Sequence, residues 1–110
     1  MRVIALNDKS KGLLDGIVAE TVGICDPCLI YLVSSKTGTD GTLKSLKLCV
    51  VTDTADNIAV ERALLLGVNS DIPCDFIVYG KTEWDELTDD DCTFAYRVDN
   101  GGEKLYVKGQ

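Results

Sequence analysis

Histidine is absent from this chain of 110 residues. Without an imidazole, every mechanism that uses a histidine base or a histidine metal ligand is excluded. Basic residues are also scarce, because 11 Lys and Arg stand against 18 Asp and Glu and leave a net charge of −7. Free-standing binding to nucleic acid or to an anionic membrane needs a basic face. The charge balance therefore argues against both kinds of partner.

Long apolar runs are missing as well. A membrane-spanning helix needs about 20 apolar residues, and no segment approaches that length. The apolar stretch Val3–Leu6 ends at Asn7, too soon for the apolar centre of a signal peptide. An odd number of cysteines without such a signal favours free thiols in a reducing compartment, so we expect a cytoplasmic protein. The cysteines are Cys25, Cys28, Cys49, Cys74 and Cys92.

The residues that are present have an ordinary balance, with 45% apolar and 26% charged side chains. This balance and the length predict one globular domain over residues 1–110. Acidic residues are concentrated after Thr82, and no basic residue interrupts them before Tyr96. Such a run predicts a solvated face, and a docking surface for a basic partner is the alternative. The run consists of Glu83, Asp85, Glu86, Asp89, Asp90 and Asp91.

Apolar periodicity and turn residues predict eight elements around one polar loop. They are a helix at Lys9–Ile24, a strand at Cys28–Val33, the loop Ser34–Ser45, a strand at Leu46–Thr52, a helix at Ala55–Leu66, a strand at Cys74–Tyr79, helices at Thr82–Leu87 and Asp91–Val98, and a strand at Lys104–Lys108. This order predicts an α/β (α+β) fold in which helices pack on a short mixed β-sheet. We also expect Cys49, Cys74, Trp84 and Phe94 to belong to the core.

Several short motifs occur together along the chain. They are the apolar strand followed by Ser34-Ser35-Lys36-Thr37-Gly38, then Cys74-Asp75-Phe76-Ile77-Val78-Tyr79, Thr82-Glu83-Trp84, Phe94-Ala95-Tyr96-Arg97 and Gly102-Glu103-Lys104-Leu105-Tyr106. In this order, from about Lys11 to Val107, the chain resembles the small stand-alone nucleotidyltransferase domains of the polymerase-beta-like superfamily. The resemblance implies a nucleotidyltransferase-like fold.

The resemblance also implies where a catalytic centre would lie. Family members hold magnesium with an Asp-x-Asp pair at the start of one strand and a third carboxylate on the next strand, and the metal polarises the transferred phosphate. The positions of the pair are Ser45 and Lys47 in this chain, and only the third carboxylate, Asp75, remains. A shifted register offers only Asp40 or Asp53, and neither restores a pair facing Asp75.

A second implied feature is a phosphate-binding turn. In the family a Gly-Ser turn leads into a helix N-terminus, where a hydroxyl and backbone N–H groups hold the phosphates. The corresponding candidate nucleotide-binding residues are Ser34, Ser35, Thr37 and Gly38. Small polar residues after a strand are also ordinary loop chemistry. Lys36, Lys44 and Lys47 lie around this segment and offer positive charge to an anion without any metal.

Three functions stay open at this point. The first is a catalytically degenerate nucleotidyltransferase-like domain that binds a nucleotide or a partner as a regulatory module and needs no cofactor. The alternative is an active, magnesium-dependent enzyme that transfers NMP from an NTP at an unorthodox site, or at one that a partner chain completes. A separate helical partner protein and a homodimer are both compatible with the resemblance. The third is a thiol redox or metal protein that uses Cys25 and Cys28, although the same residues also suit a turn with a buried thiol.

The pair Lys47 and Asp75 gives the sharpest structural prediction. Because the register of a buried sheet is strongly specified, both side chains should point to the same face. We expect the Lys47 ammonium to lie where the family holds its metal. There it would form a partly buried ion pair with Asp75.

Overall fold

A computed structural model describes residues 8–53, 56–70 and 72–109. Its elements are α1 (Asp8–Cys25), β1 (Leu29–Thr37), β2 (Leu43–Thr52), α2 (Asn57–Gly67), β3 (Cys74–Gly80), α3 (Lys81–Thr88), α4 (Phe94–Gly101) and β4 (Glu103–Val107). The predicted order and the mixed α+β fold are confirmed. The apolar stretch Val3–Leu6 and Ala55, the predicted start of the second helix, lie outside the described residues.

The four strands form one mixed sheet in the order β3-β2-β1-β4. Strand β1 pairs antiparallel with both β2 and β4, whereas β2 and β3 are parallel. A parallel pair needs a crossover connection, and α2 supplies it between β2 and β3. This arrangement places β1, β2 and the start of β3 side by side, which is where the motifs of interest lie.

Both faces of the sheet are covered by helices, and this explains the continuous apolar runs in β1 and β2. On one face, Leu48 and Val50 pack with α1 and α2 in what we call the first core. On the other face, Cys49 and Val51 pack against α3 and α4 in the second core, around Trp84. In the described part of the chain, no helix is long and apolar enough to cross a membrane.

The predicted loop at residues 34–45 is wrong. Strand β1 continues to Thr37 and β2 begins at Leu43, so that a tight turn joins them. The polar residues of this segment have low strand propensity, but antiparallel pairing satisfies their backbone groups. Gly41 supplies a φ of 82° to the turn, and the Thr42 N–H donates to Asp40. Because the chain returns as a strand, no helix N-terminus follows Gly38, contrary to the family pattern.

The ends of the helices also differ from the prediction. Helix α3 begins at Lys81 rather than at Thr82, and its N-cap is Gly80, which forms no side-chain cap. Helix α4 begins at Phe94 rather than Asp91, because the Thr93 hydroxyl accepts the backbone N–H of Tyr96 and fixes the first turn.

A β-bulge at Val33 determines which side chains reach the candidate site. Leu32 pairs with Leu48 and Ser34 pairs with Lys47, so Val33 is an extra residue that has no partner residue in β2. A bulge of this kind re-aims the side chains that follow it. Val33 packs against the second core, and Ser34 shares the face of Lys47. The consecutive side chains of Val33 and Ser34 therefore point to the same side of the sheet.

Candidate ligand-binding face

Helices α3 and α4 cover only part of their face of the sheet. Beyond the bulge this face is lined by polar side chains, four of them exposed to solvent and Ser45 partly buried. We call this set the open face. It consists of Ser34, Lys36, Ser45, Lys47 and Asp75.

The register sets three of these residues in a row across three strands. Ser34 of β1 is the Cα partner of Lys47 in β2, and Lys47 is the partner of Asp75 in β3. Side chains of registered partners lie on the same face of a sheet. The prediction that Lys47 and Asp75 share a face is therefore confirmed. A second row joins Lys36 and Ser45 beside the first.

The predicted ion pair between Lys47 and Asp75 is wrong. Both side chains are exposed rather than partly buried. The salt bridges among the described residues are Lys81–Asp85 and Lys108–Asp26. Water solvates two exposed charges well, so that fixing two side chains in one geometry gains little free energy. Lys47 is consequently a free cation on the open face.

The open face does not fit the magnesium site that the resemblance implies. Of Ser45, Lys47 and Asp75, only Asp75 offers a carboxylate, and the ammonium of Lys47 repels a divalent cation. Asp40 lies in the turn, where a hydrogen bond from the Thr42 backbone holds its pKa below the ordinary value and Lys44 adds to this effect. Asp53 follows the far end of β2. Neither aspartate reaches the row.

The four predicted nucleotide-binding residues are not all brought together. Ser34 lies on the open face, whereas Ser35 and Thr37 are the partners of Leu46 and Leu43, which belong to the first core on the opposite face. Gly38 begins the turn, where an added Cβ would lie 3.1 Å from Asp40 Oδ1 and 3.2 Å from Lys44 Cε. Strand alternation puts Ser34 and Ser35 on opposite faces, and the bulge at Val33 decides that Ser34 is the one on the open face. This could not be read from β1 alone.

Positive charge is concentrated at the same end of the molecule. Lys36, Lys44 and Lys47 are exposed, and none forms a salt bridge within the part of the chain that the structure describes. The acidic run predicted as a solvated face lies elsewhere, on α3 and the segment after it, and all six of its side chains are exposed. In a protein of net charge −7, the hairpin therefore offers an anion a local cationic surface.

No family model, curated protein or solved structure matches this chain. The likeness to nucleotidyltransferases thus rests on the motifs quoted above.

The thiols do not form a reactive pair. Cys25 and Cys28 are free and flank a turn in which Asp26 has a φ of 45°. Burial, together with the charge of Asp26, raises the pKa of Cys25 to about 11, and burial and Asp53 raise the pKa of Cys28. The thiolate is the nucleophile and the metal ligand. Protonated thiols at neutral pH favour the structural interpretation of this motif.

Alkaline pH should destabilise the fold through Cys49. This thiol is fully buried, and burial raises its pKa from 9.0 to about 12. Above pH 9 the unfolded chain releases the proton while the folded chain retains it, so the free energy of unfolding falls as pH rises. We expect the contribution of Cys49 to be about 1.4 kcal/mol per pH unit in this window.

The measurement is urea unfolding from pH 8 to pH 11 for the parent and for Cys49→Ala. Cys25 and Cys74 also have raised pKa values, but these do not depend on Cys49, so they act equally in both proteins and cancel. The charge of Cys49 contributes to the raised pKa values of Tyr31 and Tyr79, so its removal changes the pH dependence in the same direction. The variant should lose stability less steeply with pH. If the free energy of unfolding depended equally on pH in the two proteins, burial would not raise the pKa of Cys49.

Proposed function

We propose that this chain is a nucleotidyltransferase-like domain without transferase activity, which binds the phosphates of a nucleotide on its open face as a regulatory module. The observation that carries the proposal is the register of Ser34 with Lys47 on neighbouring strands, with Lys36 on the same face. A hydroxyl and a free ammonium side by side offer an anion both a hydrogen bond and a charge.

The substitution at the position of the second family aspartate supports binding without a metal. In a metal-dependent site, the cation that meets the phosphates is magnesium. Here the Lys47 ammonium lies on the strand where a carboxylate would hold that metal, and a lysine binds phosphate as a point charge. Lys36 is on the same face and extends the positive surface along the hairpin. The five free cysteines agree with a reducing compartment, and we place the protein in the cytoplasm.

Magnesium should therefore weaken nucleotide binding. A metal ion that coordinates the triphosphate reduces the negative charge that Lys47 and Lys36 recognise. We expect calorimetric titration to show ATP or GTP binding in the absence of magnesium, with lower affinity in excess magnesium. An active, magnesium-dependent enzyme should instead bind the nucleotide more tightly when magnesium is present. Binding that appears only with magnesium, together with nucleotide transfer that Asp75→Ala abolishes, would establish the active alternative.

The Lys47→Gln variant should bind ATP about tenfold more weakly than the parent. A hydrogen bond to a charged group contributes about 1.5–3 kcal/mol, and about 1.4 kcal/mol corresponds to a factor of ten. Lys11→Gln is the matched control, because Lys11 is also exposed and lies on α1 over the opposite face. Titration of both variants separates a local effect from a change in net charge. Equal affinities would contradict a role for Lys47.

A further inference from the structure

A groove of about 270 Å³ lies between β1 and α4. It is lined by Val33, Phe94, Arg97, Val98, Gly101 and Gly102. Val33 is the bulge residue and the chain neighbour of Ser34, which lies on the open face. The groove and the open face are thus adjacent on the same side of the sheet. The bulge makes them continuous.

The walls of the groove suit a flat aromatic group. Phe94 is only partly buried against the second core, so part of its ring is available for stacking. The two glycines leave backbone rather than side chains along one wall. At Gly102 an added Cβ would lie 2.7 Å from the Val98 carbonyl oxygen, so glycine is required there. At Gly101, which also lines the groove, an added Cβ would meet nothing within 4 Å, so a larger side chain has room there.

Arg97 supplies a free cation at the same place. Its side chain is exposed and forms no salt bridge in residues 8–53, 56–70 and 72–109, although the chain is strongly acidic. A guanidinium stacks on planar rings and binds phosphate through two parallel hydrogen bonds. An unpaired arginine in an aromatic groove, next to a face that bears lysines, matches a ligand that has both a ring and phosphates.

We infer that the groove binds the base of the nucleotide whose phosphates lie on the open face, an inference that rests on the function proposed above. Helix α4 ends at Gly101, which lines the groove. A purine offers a larger face for stacking on Phe94 than a pyrimidine does, so we expect adenine to bind more tightly than uracil. The ring stacks on Phe94, and Arg97, which also lines the groove, offers its guanidinium to the bound nucleotide.

The test is an NMR titration of the full chain with three probes. Adenosine should shift the amide resonances of Phe94, Gly101 and Gly102, while inorganic triphosphate should shift those of Ser34 and Lys47. ATP should shift both groups and bind at least tenfold more tightly than either part, and uridine should bind more weakly than adenosine. Adenosine that leaves the groove resonances unmoved would overturn the inference.

The Gly101→Leu variant should weaken ATP binding at least tenfold and leave the affinity for triphosphate unchanged. Gly16→Leu is the control, because a Cβ at Gly16 also meets nothing within 4 Å and the residue is exposed on α1. If Gly101→Leu does not fold, Arg97→Gln replaces it, since Arg97 has no partner whose loss would disturb the fold, and severalfold weaker ATP binding is expected. Unchanged ATP affinity in the folded variant would overturn the inference.

The two proposals fail in different ways. If triphosphate binds and adenosine does not, phosphate binding on the open face is supported and the groove does not bind the base. If adenosine shifts the groove but triphosphate leaves Ser34 and Lys47 unmoved, the proposed function fails while the groove still binds the base. If neither probe binds, both proposals are overturned.

Discussion

Replacing Trp84 by Ala is expected to lower the free energy of unfolding by about 3–5 kcal/mol, the usual cost of deleting a large buried aromatic side chain. Trp84 is 3% exposed, and its ring centroid lies 5.5 Å from that of Tyr31 and 5.4 Å from that of Tyr79. It is the one buried residue of α3, so it attaches that helix to the sheet. A domain of this size has only about 5–15 kcal/mol of stability in total.

Chemical denaturation followed by circular dichroism measures the effect without relying on tryptophan fluorescence. Leu66→Ala is the control, because Leu66 is 83% exposed on α2, and we expect it to change stability by less than about 0.5 kcal/mol. Trp84→Phe should fall between the two. A loss below about 1 kcal/mol for Trp84→Ala would mean that α3 is held in another way.

The double variant Ser45→Asp, Lys47→Asp is expected to bind magnesium, which the parent should not. The two substitutions add carboxylates on the face of Asp75 and remove the opposing ammonium, so three oxygen ligands converge. Without metal the three negative charges repel one another and lower stability. At a magnesium concentration of about 100 times the dissociation constant, the folded state should gain about 2.7 kcal/mol.

Thermal unfolding with and without magnesium measures this gain. The control Ser45→Asn, Lys47→Asn removes the ammonium but adds no carboxylate, and its midpoint should respond to magnesium no more than that of the parent. A similar response in both variants would show that the metal acts elsewhere, for example on the exposed acidic side chains after α3. If magnesium did not raise the unfolding midpoint of the Asp variant, the three carboxylates would not lie close enough to bind one ion.

Much of this arrangement could be predicted from β2 and β3, and much less from the residues between β1 and β2. The apolar runs at Leu48–Val51 and Phe76–Val78 predict buried strands whatever their partners are. Lys47 and Asp75 each come directly before one of these runs, so the alternation of side chains predicts that both lie on the same face. The segment Ser34–Thr37 has no such signal, because its strand structure depends on pairing with β2. The intrinsic strand propensity of these residues influences their structure less than their pairing with β2 does.

The open face and the groove depend on features that a single strand does not reveal. A bulge is defined by the count of residues opposite it, so Val33 cannot be recognised without its partner strand. Arg97 belongs to a motif that the resemblance uses, but a sequence does not show whether a surface cation is paired. The groove joins residues of β1 and α4 that are far apart in the chain, and only the antiparallel placement of β4 beside β1 brings them together.

The strand order has a consequence for self-association. Among residues 8–53, 56–70 and 72–109, β3 lies at one edge of the sheet, and its apolar stretch Phe76–Tyr79 would suit pairing with a further strand. Asp75 stands at the start of this stretch, exposed and charged. A second molecule that approached this edge would bring its own Asp75 and a net charge of −7, so repulsion opposes fibre-like stacking. The exposed carboxylate of Asp75 therefore acts against the pairing of further strands along this edge.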